Sequence, residues 1–166
     1  LGQAAPGAGR GLDLAALLRE RLAVAAPLAL RRDVELDLRA DRAAVLPLHR
    51  ESMAALLDNV VGNAIKYSPD GARVDVCLDT GAGTGTGTPS ITVTDQGPGI
   101  APALRTRVFE RFYRVPGQDQ AGSGLGLAIA DRAAARNGAR IALAAGPGGR
   151  GLAVRIDFDR TASTLL

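Results

Sequence analysis

From Met53 to Tyr67 the chain reads MAALLDNVVGNAIKY, and its apolar residues recur three and four positions apart. Leu56, Val60 and Ala64, with Leu57, Val61 and Ile65, form one continuous stripe, so a helix from about Glu51 to Tyr67 is expected to lie on a core. The following SPDG is a turn signal and marks its end. Immediately downstream the period drops to two: RVDVCLD (Arg73 to Asp79) and SITVTD (Ser90 to Asp95) alternate as paired strands with one wet face. A long amphipathic helix feeding adjacent strands favours an α+β two-layer sandwich over a doubly wound parallel sheet.

The remaining segments fit that scheme. LGQAAPGAGRG (Leu1 to Gly11) is small and patternless and reads as a flexible linker. A helix is expected after it, ending before Pro27, followed by a strand at VELDLR (Val34 to Arg39). GAGTGTGTP between the paired strands is low in complexity and reads as a hairpin loop. A short helical segment should lead into VFERFYRV, where Phe109 and Phe112, three apart, pack down as an anchor. GSGLGLAIADRAAARNG reads as a glycine-opened helix with Gly138 as its stop, and RIALAA and GLAVRIDF close the fold as strands around a GPGGRG turn. The expected boundaries are a linker over residues 1–11, one domain over 12–160, and a tail over 161–166.

Composition narrows the function classes. A chain of 166 residues with 46% hydrophobic and 22% charged residues is an ordinary globular domain with room for a core. No apolar run approaches the roughly 18 residues of a membrane span, so these residues are not expected to enter a membrane. Net charge is +3, from 20 basic and 17 acidic residues, and the arginines are scattered, which argues against a nucleic-acid partner. The single cysteine, Cys77, excludes an internal disulfide and suits a reducing, cytoplasmic setting. Of the basic residues only Lys66 is a lysine.

Lys66 stands on the most unusual edge of the chain. Asn59 and Asn63 are four apart and stack on the central helix, and Lys66 and Tyr67 extend the line by a turn. Asparagine is a mediocre helix former, and a buried amide without partners costs roughly 1–3 kcal/mol. Two stacked amide oxygens are, however, suitable hard ligands for Mg²⁺ carried on a triphosphate, with Lys66 to neutralise phosphate charge and Tyr67 to lie beside base or ribose. DQGPGI (Asp95 to Ile100) puts a carboxylate at a tight turn where a flat ligand can approach the backbone, and Asp95 could accept from the exocyclic amine of adenine. In GSGLGLAI, Gly122, Gly124 and Gly126 bare the N–H groups of a helix start, which suits phosphate. The aromatics of VFERFYRV stand where they could pin the hinge of a flap over Arg114 to Ala121.

Each glycine cluster alone is a common feature. In this order and spacing the four segments together are far more specific. NVVGNAIKYSP, DQGPGI, VFERFYRV and GSGLGLAI resemble the N, G1, F and G2 boxes of the ATP-binding catalytic domain of bacterial sensor histidine kinases. That domain shares its superfamily with DNA gyrase, the mismatch-repair ATPases and the ninety-kilodalton heat-shock chaperone, and the likeness runs from about Leu12 to Phe158. It implies the Bergerat fold, a mixed, largely antiparallel sheet packed on about three helices, with ATP between the layers under a lid. Carried over box by box, Asn59 and Asn63 would hold Mg²⁺, Lys66 a phosphate and Tyr67 the adenosine. Asp95 would bind the adenine amine, with Gly97, Gly99 and Ile100 shaping its pocket and Phe112 beside the nucleotide. Gly122, Ser123, Gly124, Leu125 and Gly126 would seat phosphates, while Arg111 and Arg114 would reach the γ-phosphate when the lid shuts.

The resemblance also implies a division of labour. The ATP-hydrolysing relatives carry a glutamate where this chain has Asn59, and an amide cannot act as the general base for water. ATP should therefore be held rather than hydrolysed, its γ-phosphoryl kept for a histidine on a separate dimerisation domain and then for a cognate response regulator. The only histidine here, His49, precedes Arg50 and reads as a partly exposed residue near a helix cap, so the phosphoacceptor is expected elsewhere, in the cytoplasmic portion of an inner-membrane receptor.

Other readings are separable. A dinucleotide-binding oxidoreductase would need G-x-G-x-x-G after a strand and a ribose-binding acid about 20 residues on, where Ala145 and Gly146 stand. Neither a Walker A loop nor the H-R-D and D-F-G motifs of eukaryotic-type kinases occur. An anti-sigma-type serine kinase of the same fold, and a nucleotide-binding signalling module without kinase activity, remain as alternatives.

Overall fold

The computed structural model of the chain describes residues 11–82, 87–116 and 126–159. Its elements run β1 (Leu12–Asp13), α1 (Leu14–Arg31), β2 (Glu35–Arg39), β3 (Val45–Leu46), α2 (Arg50–Tyr67), β4 (Arg73–Asp79), β5 (Ser90–Thr94), α3 (Gly126–Arg136), β6 (Ala139–Ala145) and β7 (Leu152–Phe158). Single 3₁₀ turns lie at Pro102–Leu104, Arg107–Phe109 and Pro147–Gly149. The main sheet has the order β2-β4-β5-β7-β6; β2 pairs with β4 in parallel and all other pairs are antiparallel. This is the expected mixed, mostly antiparallel sheet, with the helices packed on one of its faces.

The alternation of each strand decides which face is covered. Val74, Val76 and Leu78 of β4, Ile91 and Val93 of β5, and Val154 and Ile156 of β7 all join the buried core. Their alternating neighbours Asp75, Cys77, Thr92 and Arg155 stay at least partly exposed on the other face. From the helical layer come Leu14, Leu17 and Leu18 of α1, Met53, Leu56, Leu57, Val60, Val61 and Ile65 of α2, and Ala130 and Ala134 of α3, each almost wholly buried. Burying side chains of leucine size contributes about 1.5–3 kcal/mol apiece before chain entropy is counted. The stripe read from the sequence is thus the face on which the sheet rests.

Three local outcomes differ from the sequence-based expectations. First, α1 does not stop before Pro27 but passes through it. The bond Pro27 cannot make would go to the carbonyl of Ala23, and both residues are exposed, so water can take that carbonyl. The helix runs on to Arg31, and the chain turns out of it at Asp33, in left-handed backbone with φ 52°. There the Val34 N–H reaches the Ala29 carbonyl at 2.9 Å and the Asp33 N–H that of Leu30 at 3.2 Å. This is a Schellman ending with aspartate in the place glycine usually takes. Second, β1 and β3 form a small antiparallel pair. Asp13 closes that corner: its carboxylate caps α1 through the Ala15 N–H at 3.0 Å and also accepts from the Ala44 N–H at 3.3 Å. Third, the turn through Arg107–Phe109 does not continue. Glu110 is extended, Phe112 has φ 64° and is 66% exposed, and the residue that packs down is Val108.

Both ends of α2 are held by other elements. At its start, Asn137, just beyond α3, accepts from the His49 N–H at 2.7 Å and donates to the Ser52 hydroxyl at 2.7 Å and the Ala133 carbonyl at 2.7 Å. His49 is the N-cap, as a partly exposed cap residue should be. At the other end the Arg32 guanidinium donates to the Lys66 carbonyl at 2.9 Å, satisfying one of the orphan acceptors of the last turn. Gly138, with φ 64°, stops the α3 region as expected.

Candidate functional site: a cleft between α2 and the sheet

α2, the loop after β5, the segment from Val108 to Val115, the first turn of α3 and the inner face of β7 enclose a cleft of about 260 Å³. Its walls bring together Asn59, Asn63, Lys66 and Tyr67 from α2, Asp95, Gly99 and Ile100 after β5, Arg114, and Gly126. Val60, Ala64, Val108, Leu152 and Val154 supply an apolar floor, and Tyr113 closes one side. Val60 and Ala64 belong to the core stripe of α2 and to this floor alike.

The geometry fixes which atoms face the cleft. Asn59 donates its amide N–H to the Ala55 carbonyl one turn back, at 2.7 Å, which leaves Oδ1 as the atom offered outward. The side chain of Asn63, one turn further on, has no hydrogen-bond partner among the described residues. Gly126 stands opposite both. A Cβ built there would lie 3.3 Å from Asn59 Oδ1 and 3.3 Å from Asn63 Nδ2. Glycine therefore keeps open the space into which the two amides project. The pair fits a hard cation that brings most of its own oxygen ligands: two neutral oxygens add to phosphate and water without competing charge. Among the described residues no group of three or more His, Cys, Asp or Glu side chains could hold a metal by itself.

Asp95 follows directly on β5 and is 6% exposed. One carboxylate oxygen, Oδ1, accepts from the Gly97 N–H at 2.9 Å and the Leu152 N–H at 3.1 Å, while the Asp95 N–H donates to the Leu152 carbonyl at 3.0 Å. Oδ2 accepts nothing from the described residues. Burial pushes the carboxyl above its usual range, and the two backbone bonds oppose that without reversing it. The arrangement is a fixed acceptor at the bottom of an apolar cleft, matched to a ligand amine.

The glycines around Asp95 are each explained by close backbone approach. Gly97 does not line the cleft; a Cβ there would run into the Tyr67 carbonyl. Gly99, with φ 74°, packs on Gly151, whose carbonyl oxygen would be 2.9 Å from a Cβ on Gly99. Gly151, with φ 72°, lies so close to Asp95 that a Cβ would overlap the aspartate carbonyl. In the sequence it belongs to the GPGGRG turn, and its place directly before the inward-facing Leu152 is the hint to its role.

Lys66 reaches the cleft from the end of α2, its Nζ 5.3 Å from the centre of the Tyr67 ring. Burial first, then the nearby charges of Arg114 and Arg32, hold its ammonium below the usual lysine range. An anion there would relieve all three influences. Arg111 and Phe112 are exposed and do not line the cleft; the Arg111 guanidinium lies 5.9 Å from the Phe112 ring centre. Gly122, Ser123, Gly124 and Leu125, and the flap beyond Pro116, lie outside the described residues. No helix among the described residues is long and apolar enough to cross a membrane.

Comparison with known proteins places this cleft in context. Residues 49–162 match the family described as "Histidine kinase-, DNA gyrase B-, and HSP90-like ATPase". The chain is 40% identical over 150 residues to the swarming motility regulation sensor protein RssA of Serratia marcescens, covering 90% of this chain and 31% of that protein. It therefore spans about a third of the length of that relative. Among solved structures, the mycobacterial sensor histidine kinase MprB superposes with a TM-score of 0.74 at 31% identity, covering 89% of this chain and 95% of that one. Full-length ShkA in complex with AMPPNP gives a TM-score of 0.73 at 27% identity, covering 89% of this chain and 30% of that one.

Proposed function

We propose, given that the chain belongs to the histidine kinase-, DNA gyrase B- and HSP90-like ATPase family, that it is the ATP-binding catalytic domain of a sensor histidine kinase. In this reading it positions Mg-ATP for transfer of the γ-phosphoryl group to a histidine on a dimerisation domain, from which a cognate response regulator is charged. The observation that carries the reading is the convergence on one cleft of two stacked amides, a lone lysine and a buried, half-satisfied aspartate, with Gly126 keeping clear the space between.

Each residue has a task that its geometry suits. Asp95 Oδ2 accepts from the adenine amine while Oδ1 stays tied to the backbone, so the acceptor is aimed before the nucleotide arrives. Val60, Ile100 and Val154 cover the base, and Tyr67 lies along the adenosine. Asn59 Oδ1 and Asn63 would hold Mg²⁺, which when bound supplies neutralisation of phosphate charge. Lys66, on the same helix, adds a cation at the phosphates. Residues 122–126 would seat phosphate on backbone N–H groups, and Arg114 would reach the γ-phosphoryl end.

Phosphoryl transfer needs little covalent help from the protein; it needs alignment and charge stabilisation. What matters is the nucleophile. Asn59 has its N–H committed to Ala55 and no basic atom to offer, so nothing on this edge activates water. ATP is thereby preserved for an imidazole presented from outside. We place the domain in the cytoplasmic part of a two-component receptor, where ATP is available.

The test is to mix the chain with a dimerisation domain bearing a phosphoacceptor histidine and with radiolabelled ATP. Acid-labile label on the acceptor is expected, and it should vanish with Asn63→Ala. ATP binding without any labelled histidine would make the chain a nucleotide-binding signalling module instead. An acid-stable label on a serine would point to the serine-kinase branch of the fold.

A further inference from the structure

We propose that the free edge of β6 is a self-association surface, occupied by β6 of a second copy of this chain running antiparallel and centred on Ala142. Among the described residues β6 is the last strand of the sheet and has β7 on one side only. In an antiparallel ladder, residues alternate between exchanging both backbone bonds with the neighbour and turning both groups away. The Asp159 N–H donates to the Gly138 carbonyl at 3.2 Å and the Gly146 N–H to the Gly151 carbonyl at 3.2 Å, which sets the phase at both ends of the strand. Even-numbered residues of β6 therefore bond to β7. The N–H and C=O groups of Ala139, Ile141, Leu143 and Ala145 point off the sheet, and none has another backbone partner among the described residues.

Such an edge is a template for a further strand unless charge, proline or a bulge blunts it. The opposite edge is blunted: β2 carries Glu35, Asp37 and Arg39. β6 is not. It runs ARIALAA without proline or lysine, its register with β7 from Ala139 to Ala145 is unbroken, and Arg140 is its only charge. Ile141 and Leu143 lie on the helix-facing side, only partly covered by the core.

The strand is complementary to itself, and this favours a second copy over an unrelated strand. Pairing requires outward-pointing residues to face one another. A two-fold axis through Ala142 sets Ile141 opposite Leu143 and Ala139 opposite Ala145, so all four outward residues find partners in one register. Two isoleucine–leucine pairs then close over the half-covered side chains. On the other face Arg140 falls opposite Ala144, and no like charges meet. Two strand edges bury less than the roughly 1,200 Å² typical of stable complexes, so the association is weak and depends on concentration.

Sedimentation equilibrium of the 166-residue chain, from micromolar to millimolar, tests the surface. Ala144 is exposed and faces Ala153 on β7, and its diagonal neighbour on that face, Arg155, is already paired with Asp157 at 2.7 Å. Ala144→Glu sets a carboxylate opposite Arg140 of the other copy, twice, and should tighten association by roughly fivefold. Ala144→Arg opposes two arginines and should weaken it by a similar factor. Amide exchange at Ile141 and Leu143 should slow as protein concentration rises. A chain that stays monomeric throughout, or that responds alike to both substitutions, overturns the proposal. So does protection of Ile141 and Leu143 that persists on dilution, which would assign the edge to this chain's own residues 160–166 or 117–125.

Discussion

Gly151 and Asp95 are joined back to back: a Cβ on the glycine would overlap the aspartate carbonyl oxygen, and the next residue, Leu152, accepts from the Asp95 N–H and donates its own N–H to the Asp95 carboxylate. The turn that opens β7 thus sets the acceptor at the floor of the cleft, although the two residues are far apart in sequence. Gly151→Ala should cost at least about 2 kcal/mol, from left-handed backbone and a clash that neither strand can yield to. Thermal unfolding should show the loss, and binding of a fluorescent ATP analogue should fall with it. An unchanged melting temperature would mean that the contact is looser than its geometry.

Gly126 separates stability from metal-dependent binding. Its backbone does not require glycine, since φ is not left-handed. Alanine there should leave the fold as stable as before, while the added methyl crowds Asn59 and Asn63. Affinity for the analogue should drop about tenfold or more in magnesium, the size of one lost charge-assisted contact, and much less in chelator. Equal losses under both conditions would remove the amide pair from the metal.

Asp95 predicts a pH signature. Its carboxyl is raised in the fold by burial, so the folded state holds the proton more tightly than the unfolded chain does. Its contribution to stability is present below the unfolded carboxylate range and is lost as pH rises through the raised folded value. Asp95→Asn keeps an oxygen for the Gly97 and Leu152 amides and removes the buried charge. The variant should melt no lower than the parent at neutral pH, and the gap should close as the solution is acidified. Nucleotide binding should nevertheless fall at least about tenfold, because an amine would meet an amine. A variant that melts well below the parent at neutral pH would contradict the raised carboxyl.

Asn59 predicts an idle hydrolase. ATP turnover by the chain alone should stay near background at neutral pH, since the Asn59 amide cannot take a proton from water. A coupled phosphate-release assay reads this directly. Brisk hydrolysis would require a base that the amide pair does not supply.

Lys66 predicts that phosphate groups dominate its role. Burial and the neighbouring arginines already disfavour its charge, so Lys66→Met should not destabilise the nucleotide-free fold. The variant should bind adenosine about as well as the parent and ATP about tenfold more weakly, one charged hydrogen bond being worth roughly 1.5–3 kcal/mol. Isothermal calorimetry with the two ligands separates the cases; equal weakening for both would place Lys66 at the base or sugar.

Local sequence determined the elements whose signal is periodic. The stripe from Leu56 to Ile65 and the alternation of RVDVCLD and SITVTD are properties of side chains three, four or two apart, and burial then had little choice. The stacking of Asn59, Asn63 and Lys66 is equally local, because a helix places residues three and four apart on one edge. Tertiary structure decided what depends on meetings across the chain. Pro27 suggested a helix end, yet an exposed Ala23 carbonyl tolerated it and Asp33 took the left-handed turn. Phe109 and Phe112 promised an anchor that Val108 provides, since the turn ends before Phe112 can share its face. Two-residue β1 and β3 have no period to read. Above all, Gly151 resembles any hairpin glycine until β7 is laid beside β5; only sheet register brings it against Asp95 and only that packing aims the carboxylate into the cleft.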